Sequence, residues 1–596
     1  MTSLIYRISL VLVCLFTFII LPLTSAKADT YTVTVFYDDY DINLGDGICA
    51  DSTGACTLRA AVDESNFIIG ADIIYLPNPG TYSVTQTVLS VTDRLTIQGT
   101  SKRNTVIEGD PSFGLFVVNG KLVTANFNNL TMTNANRAIY SSYGTVNVND
   151  CLLYKNTGQN GAAIKTYYGN LIINNSSLIY NTAISTGGAL YISHSVVSIN
   201  NSDLSYNTSG GIGGAIVSYA GNDLTITNSN LSHNIASSSG GAIYYYTYQA
   251  NTVTIHNTDI SYNEAGMKGG GLYLGNAGSV YITNSLIANN VAQGTNSYHG
   301  AGGLGIAAVM GPMYMLIANT SITNNEAYNT GGGIRGYFAV NSNVIDIIDS
   351  DISKNVAKNI GGAISNHAQA SQETATVLTL NITDTSIDQN EAEDNAALYL
   401  EATNANITRS SINENYSATN LSKQVEVVGG LLNISNSTLS SNKGYAAITV
   451  DKDLTITNGS LLTIANLHSV TIAENSTYGL INNLKGTRVT VANSLLANNH
   501  MNKDCLGDFT TLGYNLVSSK PLTCSGFSIG GANDILGPPY APINALLTTL
   551  DYYGGNTRSH EWLSVSPVNT SSYNCLSEDQ QGTSRSAPCD RGSREL

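Results

Sequence analysis

Residues 201–216 read "NSDLSYNTSGGIGGAI". Residues 228–243 read "NSNLSHNIASSSGGAI" and residues 257–272 read "NTDISYNEAGMKGGGL". The shared phrase is Asn or Asp, Ser or Thr, any residue, Leu or Ile, two more residues, then Asn. That last Asn recurs as Asn156, Asn181, Asn207, Asn234, Asn263, Asn290, Asn325, Asn355, Asn390, Asn415, Asn442, Asn475 and Asn499. The gaps run from 24 to 35 residues. A short period with variable insertions is the mark of a stacked repeat rather than a string of separate domains.

The apolar residues alternate inside each period, as in "LTITNSN" (224–230) and "VTIHNTD" (253–259). Alternation places one face of a strand inward. Asn and Gly turns divide each repeat into about three short strands. One such coil cannot bury its own apolar face, but stacked coils bury a continuous column. Strands at equivalent places in successive coils then run parallel, about 4.8 Å apart. The expected fold is all-β: a right-handed, single-stranded parallel β-helix, since parallel crossover connections are overwhelmingly right-handed. Repeats are expected over residues 86–500, with capping regions at 29–85 and 501–596.

In such a stack equivalent asparagines lie over one another and their amides bond from coil to coil. Two ladders are expected. One contains Asn175, Asn201, Asn228 and Asn257; the other contains Asn181, Asn207, Asn234 and Asn263. The pairs Gly187–Gly188, Gly213–Gly214, Gly240–Gly241 and Gly361–Gly362 supply positive φ or close backbone approach. The phrase is therefore mainly architecture. The Asn-x-Ser/Thr sequons it contains arise from the repeat and say little about glycans.

Composition supports strands and limits function. Of 596 residues only 11% are charged, while Gly numbers 56 and Tyr 35. The net charge is −16. No Lys/Arg cluster stands out, so nucleic acid is not an expected partner. Residues 1–28 read as a cleaved export signal: Arg7, the apolar run "ISLVLVCLFTFIILPL" and the small residues Ala26 to Ala28. The expected mature chain is secreted or held at the cell surface, has no transmembrane span, and is a monomer. Export implies an oxidising compartment, so Cys49, Cys56, Cys505, Cys524, Cys575 and Cys589 are disulfide candidates, with sequence neighbours the natural pairs. Without a CxxC pair or a nearby His, zinc is the weaker reading. Cys151, in "DCLLYKN", fills the Ser/Thr slot of its repeat and is expected as an unpaired residue in a stacked turn.

The phrases "LSYN", "ISYN", "LSSN" and "GGAI" resemble the repeats of chlamydial polymorphic outer-membrane proteins, with Leu or Ile where that family has Phe. "DGICADSTGAC", "CTLRAAVDESN" (56–66) and "IIYLPNPGTYSVT" resemble the CSLREA domain of secreted bacterial proteins, with Thr57 and Ala60 replacing its Ser and Glu. "ALLTTLDYYGGNTRSHEWLSVSPVN" (545–569), "DQQG" and "CDRG" resemble the choice-of-anchor Q domain. Together these resemblances imply an exported β-helix protein of the pectate-lyase-like type and specify activity poorly.

Two kinds of site remain to be weighed. A polysaccharide lyase on this fold needs stacked carboxylates for Ca²⁺ and a basic residue. Asp349 and Asp384 fill the first-ladder slot in consecutive repeats, and Arg409 fills it in the next. Arg335 in "GGGIRGY" is the candidate base. Calcium or Arg409 would relieve the repulsion between the two carboxylates. No cofactor is otherwise expected. The second site is aromatic. Tyr180, Tyr206, His233 and Tyr262 precede the last Asn of the phrase, and Tyr191, Tyr244 and Tyr273 follow the Gly pairs in similar register. Rings at coil spacing offer a flat platform for a glycan or a host or cell-surface protein, or else pack against themselves. The favoured function is non-catalytic adhesion or glycan contact; the alternative is a lyase or glycoside hydrolase acting on an acidic polysaccharide.

Overall fold

The computed structural model describes residues 28–595 except 297–298, 341, 369–377, 420–421, 451, 457–458, 485–487, 530–532, 569–571 and 574. Apart from Ala28, the export-signal segment lies outside the described residues. Among the described residues no helix is long and apolar enough to cross a membrane.

The chain is a parallel β-solenoid. A representative coil contains the strands Leu272–Gly275, Ser279–Thr283, Leu286–Ala288 and Val291–Ala292. Each pairs in parallel with its equivalents in the neighbouring coils, so four columns of strands run along the axis. The sequence reading anticipated three. The extra break comes from a left-handed residue between the first two strands: Tyr168, His194, Ala220 and Asn276 have φ of 52°, 52°, 63° and 54°. Columns one and two belong to one sheet, because Leu398–Thr408 and Lys423–Ser435 each run through both. Column three narrows to single bridges at Asp203 and Asn230.

Alternation works as expected. Ser279–Thr283 buries Val280 and Ile282 and turns the other side chains outward. One apolar core extends from Tyr31 to Phe527. Each Leu or Ile buried in it contributes about 1.5–3 kcal/mol. The columns pass both limits expected for the repeats. They start with Thr30–Thr32 on Ala71–Leu76 and end with Leu516–Val517 on Ile535–Leu536. These outer coils do not carry the repeated phrase, and Asp534 takes the place of its asparagine by accepting from Asn515 N and Nδ2.

At the corner between columns three and four, the last Asn of every phrase, from Asn156 to Asn499, joins one ladder. The Asn207 side chain is typical. Its Oδ1 accepts from Asn181 N and Nδ2, at 3.0 and 3.2 Å. Its Nδ2 donates to Asn234 Oδ1 at 3.2 Å and to Leu178 O at 2.8 Å. Each side chain therefore ties together three coils while fully buried. Asp504 ends the series by accepting from Asn499 N and Nδ2.

The ladder through Asn175, Asn201, Asn228 and Asn257 lies at the exposed corner between columns two and three. Asn201 donates to Asn175 at 2.6 Å and Asn257 to Asn228 at 2.8 Å. Asn228 breaks the expected series by reaching Asn200 instead of Asn201. These residues have φ near 50°, which Asn tolerates better than most. Just inside them runs a hydroxyl ladder: Ser202 N donates to Ser229 Oγ at 3.1 Å, and Ser202 Oγ to Asn200 O at 2.8 Å. Cys151 occupies this slot, is buried and unpaired, and has its thiol pushed up by burial. The glycine pairs divide their labour. Gly240 has φ of 71°, and a Cβ on Gly241 would strike the Gly270 carbonyl.

Three disulfides link sequence neighbours: Cys49–Cys56, Cys505–Cys524 and Cys575–Cys589. The helix Leu58–Phe67 packs at the N-terminal end, where its buried Arg59 pairs with Asp38 at 2.8 Å. Cys505–Cys524 joins the last coils. Beyond them, Asn556, Arg558, Gln580 and Ser593 reach back along the flank of the solenoid to coils from Asp349 to Thr471.

Asn263→Ala should destabilise its coil by about 3 kcal/mol, because a buried N–H loses its acceptor. Asn228→Gly, on the exposed ladder, should stay within about 0.5 kcal/mol. Hydrogen exchange over residues 223–292 measures both. Burial pushes Asp504 up to about 6 despite bonds from Ser518 and Asn499. The folded chain thus holds this proton more tightly than the unfolded chain, whose Asp titrates near about 3.9. The stability of coils 495–525 should therefore gain from Asp504 as pH falls from about 7 to about 4, and Asp504→Asn should remove that gain.

Candidate functional site

The exposed Asn corner forms one wall of a long open groove, and column three forms the other. Its larger stretch encloses about 1190 Å³ between Lys102 and Asn319. A further 360 Å³ continues from Asn319 to Tyr552 and Asn556. Asn319 belongs to both, so the two stretches are continuous. Local structure explains the shape. The left-handed asparagines jut outward, the hydroxyl ladder recedes, and the first residue of column three rises again.

The groove floor and walls are amides, hydroxyls and carboxylates. Asp150, Asp203, Asp259, Asp349, Asp351 and Asp384 line it, against Lys102 as the cation. Asp203 Oδ1 accepts from Asn230 Nδ2 at 3.1 Å. Lys102 Nζ donates to Asn175 O at 3.3 Å. Partial burial raises Asp351. Among the described residues no three His, Cys, Asp or Glu side chains are grouped to hold a metal ion.

The C-terminal flank segment closes one end of the groove. Arg558 reaches Asp388 at 3.1 Å and Glu414 at 2.9 Å. His560 Nε2 lies 2.7 Å from Ser440 Oγ, and Thr438 Oγ1 donates to Gln580 Oε1 at 2.6 Å. Ser593 bonds Thr438 and Thr471. Column-three side chains that stand open in earlier coils are buried here. Burial pushes Asp388 up to about 6, with Arg558 acting against it.

The residues considered for a lyase separate into two places. Asp349 and Asp384 share the groove's closed end. Arg409 grips Asp384 in two bonds, 2.8 and 2.6 Å, and Asn556 donates to Asp349 at 3.2 Å. Arg409 thus compensates the charge of Asp384. Arg335 lies in column one, in a different cavity with Lys268, Tyr273 and Tyr337. Its Nε donates to Thr330 Oγ1 at 2.7 Å.

The first tyrosine series forms a stack. Tyr180–Tyr206, Tyr206–His233 and His233–Tyr262 have centroid distances of 4.9, 4.7 and 5.1 Å and interplanar angles of 8°, 14° and 14°. All four residues have φ of 56–58°, a strained conformation for bulky side chains. Stacking offsets part of that cost, at about 0.5–1.5 kcal/mol per pair. It also uses up the ring faces. What meets solvent along the stack is a row of edges and hydroxyls. Tyr191, Tyr244 and Tyr273 all face outward from column one. Tyr191 packs tilted on Tyr167, and Tyr244 stacks on Tyr273 at 5.1 Å and 13°.

Sequence reasoning missed the groove and its closure. The repeated Asn and Ser/Thr were visible, but they were read as bonding partners of one another only. The Arg558 and Gln580 contacts join residues well over a hundred positions apart and leave no periodic signal.

No family model matches the chain, and no curated protein sequence matches it. Solved structures with weak similarity to the chain include two enzymes. One is the PL6-family alginate lyase AlyGC, in mutant form, with 9% identity, covering 81% of this chain and 97% of its own, at a TM-score of 0.26. The other is the A-module of the Azotobacter vinelandii mannuronan C-5 epimerase AlgE6, with 12% identity, covering 84% of this chain and 100% of its own, at a TM-score of 0.20. At these values neither informs the activity of this chain.

Arg558→Ala should release the flank segment, since it leaves buried Asp388 and Glu414 without their cation. The expected loss is about 3 kcal/mol. Limited proteolysis should then cut within residues 545–595 while coils 150–350 stay protected.

Proposed function

We propose that this is an exported, non-catalytic solenoid that lays a neutral glycan strand along its polar groove. The observation that carries this reading is the groove itself: an open, unbroken trough whose amides, hydroxyls and carboxylates repeat at coil spacing. Sugar hydroxyls bond well to such mixed donors and acceptors, and paired carboxylate oxygens accept from neighbouring hydroxyls. A chain of pyranose rings advances by a distance similar to the rise between coils, so equivalent contacts can recur along it.

Charge decides between neutral and acidic glycans. The groove's aspartates outnumber its single lysine, so a polyanion would be repelled. The lyase reading needs a free base beside Asp349 and Asp384. Arg409 holds that place as the ion-pair partner of Asp384. The likeness of residues 46–85 and 545–592 to secreted and surface-anchored bacterial domains, together with three disulfides, supports an extracellular setting.

A glycan-array screen of residues 29–596 tests the reading. Neutral polysaccharides should be retained. The double variant Asp203→Asn, Asp259→Asn should weaken retention at least tenfold, while Tyr206→Ala should leave it unchanged. Retention of polyuronates alone, or binding indifferent to the aspartate changes, would defeat the groove assignment.

A further inference from the structure

The entry to the column-one strand Ile139–Ser142 departs from the pattern of its neighbours. In each of the next five coils a left-handed residue leads into column one, and it is a glycine: Gly161, Gly187, Gly213, Gly240 and Gly269, with φ between 60° and 71°. Here that residue is Arg137, with φ of 81°. Glycine adopts this backbone freely, whereas a residue with a Cβ is strained by it. One coil therefore holds a long cationic side chain in a place that its neighbours reserve for glycine. Strain of this kind, kept at a single coil, points to a use for the side chain.

Arg137 lines a pocket of about 190 Å³ on the outer side of column one, with Val88, Phe113, Val117, Tyr140 and Asn136 around it. Val117 and Tyr140 are equivalent outward residues of neighbouring coils. Arg137 Nε donates to Asn160 O and Gly161 O, both at 3.3 Å, which fixes one edge of the guanidinium. Among the described residues its two terminal nitrogens donate to no protein acceptor, yet neither is sealed from the surface. Its Cζ lies 5.9 Å from the Tyr140 ring centroid, at the outer limit of a cation–π contact. Burial holds the guanidinium below the ordinary arginine range, and the groups acting against that are the phenols of Tyr140 and Tyr167, not a carboxylate. A half-buried cation without a counter-ion favours an anion beside it.

We propose that this pocket binds a small aromatic carboxylate. The free edge of Arg137 matches a planar carboxylate in two parallel bonds. The ring packs against Val88, Val117 and Phe113, whose own ring adds an aromatic contact. Volume sets the size of the body: a cavity of about 150 Å³ admits benzene, so this one holds a single ring with its carboxylate. The site is on a different column from the groove, and neither reading depends on the other.

The test titrates residues 29–596 with benzoate at fixed ionic strength, by calorimetry, with benzyl alcohol and acetate as parallel probes. Benzoate should bind saturably and at least tenfold more tightly than either of the others. Arg137→Gly installs the residue that the neighbouring coils use. It should melt no lower than the parent chain and bind benzoate at least tenfold more weakly. Val117→Phe fills the pocket from an outward, half-buried position and leaves the cation in place. It too should cost at least tenfold in affinity. Benzyl alcohol or acetate binding as tightly as benzoate, absence of saturation, or benzoate affinity unaffected by either variant would each overturn the proposal. So would a lower melting temperature for Arg137→Gly, which would assign the side chain to stability instead.

Discussion

The amide ladder at the inner corner is the constraint on which the structure depends. A solenoid coil must turn sharply while its backbone passes through the apolar interior, and a buried N–H without a partner is costly. Asparagine solves this at one position in every coil. Its oxygen accepts the N–H of the coil before, and its nitrogen reaches both ways along the axis. Among uncharged side chains only glutamine shares its two N–H donors beside a carbonyl acceptor, and glutamine's extra carbon would carry it out of register. The repeat tolerates insertions of up to about ten residues because they loop out between ladders and leave the corner unchanged.

Once that corner is fixed, the outer faces are free to differ. The left-handed Asn corner and the receding hydroxyls make a trough. The aromatic corner makes a stack whose faces are satisfied internally. In column one the same stacking tendency stops at Gly305, and the stop leaves a pocket between an aromatic ring and two cations. A single backbone plan thus yields three surfaces of different chemistry, each determined by which side chain occupies one outward slot.

Much of this was legible beforehand. Alternation in "LTITNSN" and the spacing of Asn207, Asn234 and Asn263 lead to stacked parallel coils, and both ladders follow from position alone. Cys151 in a Ser/Thr slot and the three neighbour disulfides were legible for the same reason: each is local or periodic. The fourth column was not, since His194 and Ala220 carry no sign that they adopt positive φ. Arg335 and Tyr273 entered separate arguments, one as a base and one as a sugar platform. Their meeting depends on the register between Gly305 and its neighbours, which a variable insertion at residues 293–300 hides. The contacts of Arg558 and Gln580 with the solenoid flank are long-range and happen once, so no pattern announces them.

The flank segment changes how the molecule would carry load. In a plain solenoid each coil touches only its neighbours, and a pull on one end peels coils off singly. Here Asn556, Arg558, Gln580 and Ser593 rivet coils from Asp349 to Thr471 onto a common brace. The C-terminal half must yield as a block, while coils nearer the N-terminus can unwind in small steps. Under tension the unbraced half would thus lengthen stepwise and dissipate the pull, while the braced half would hold its length.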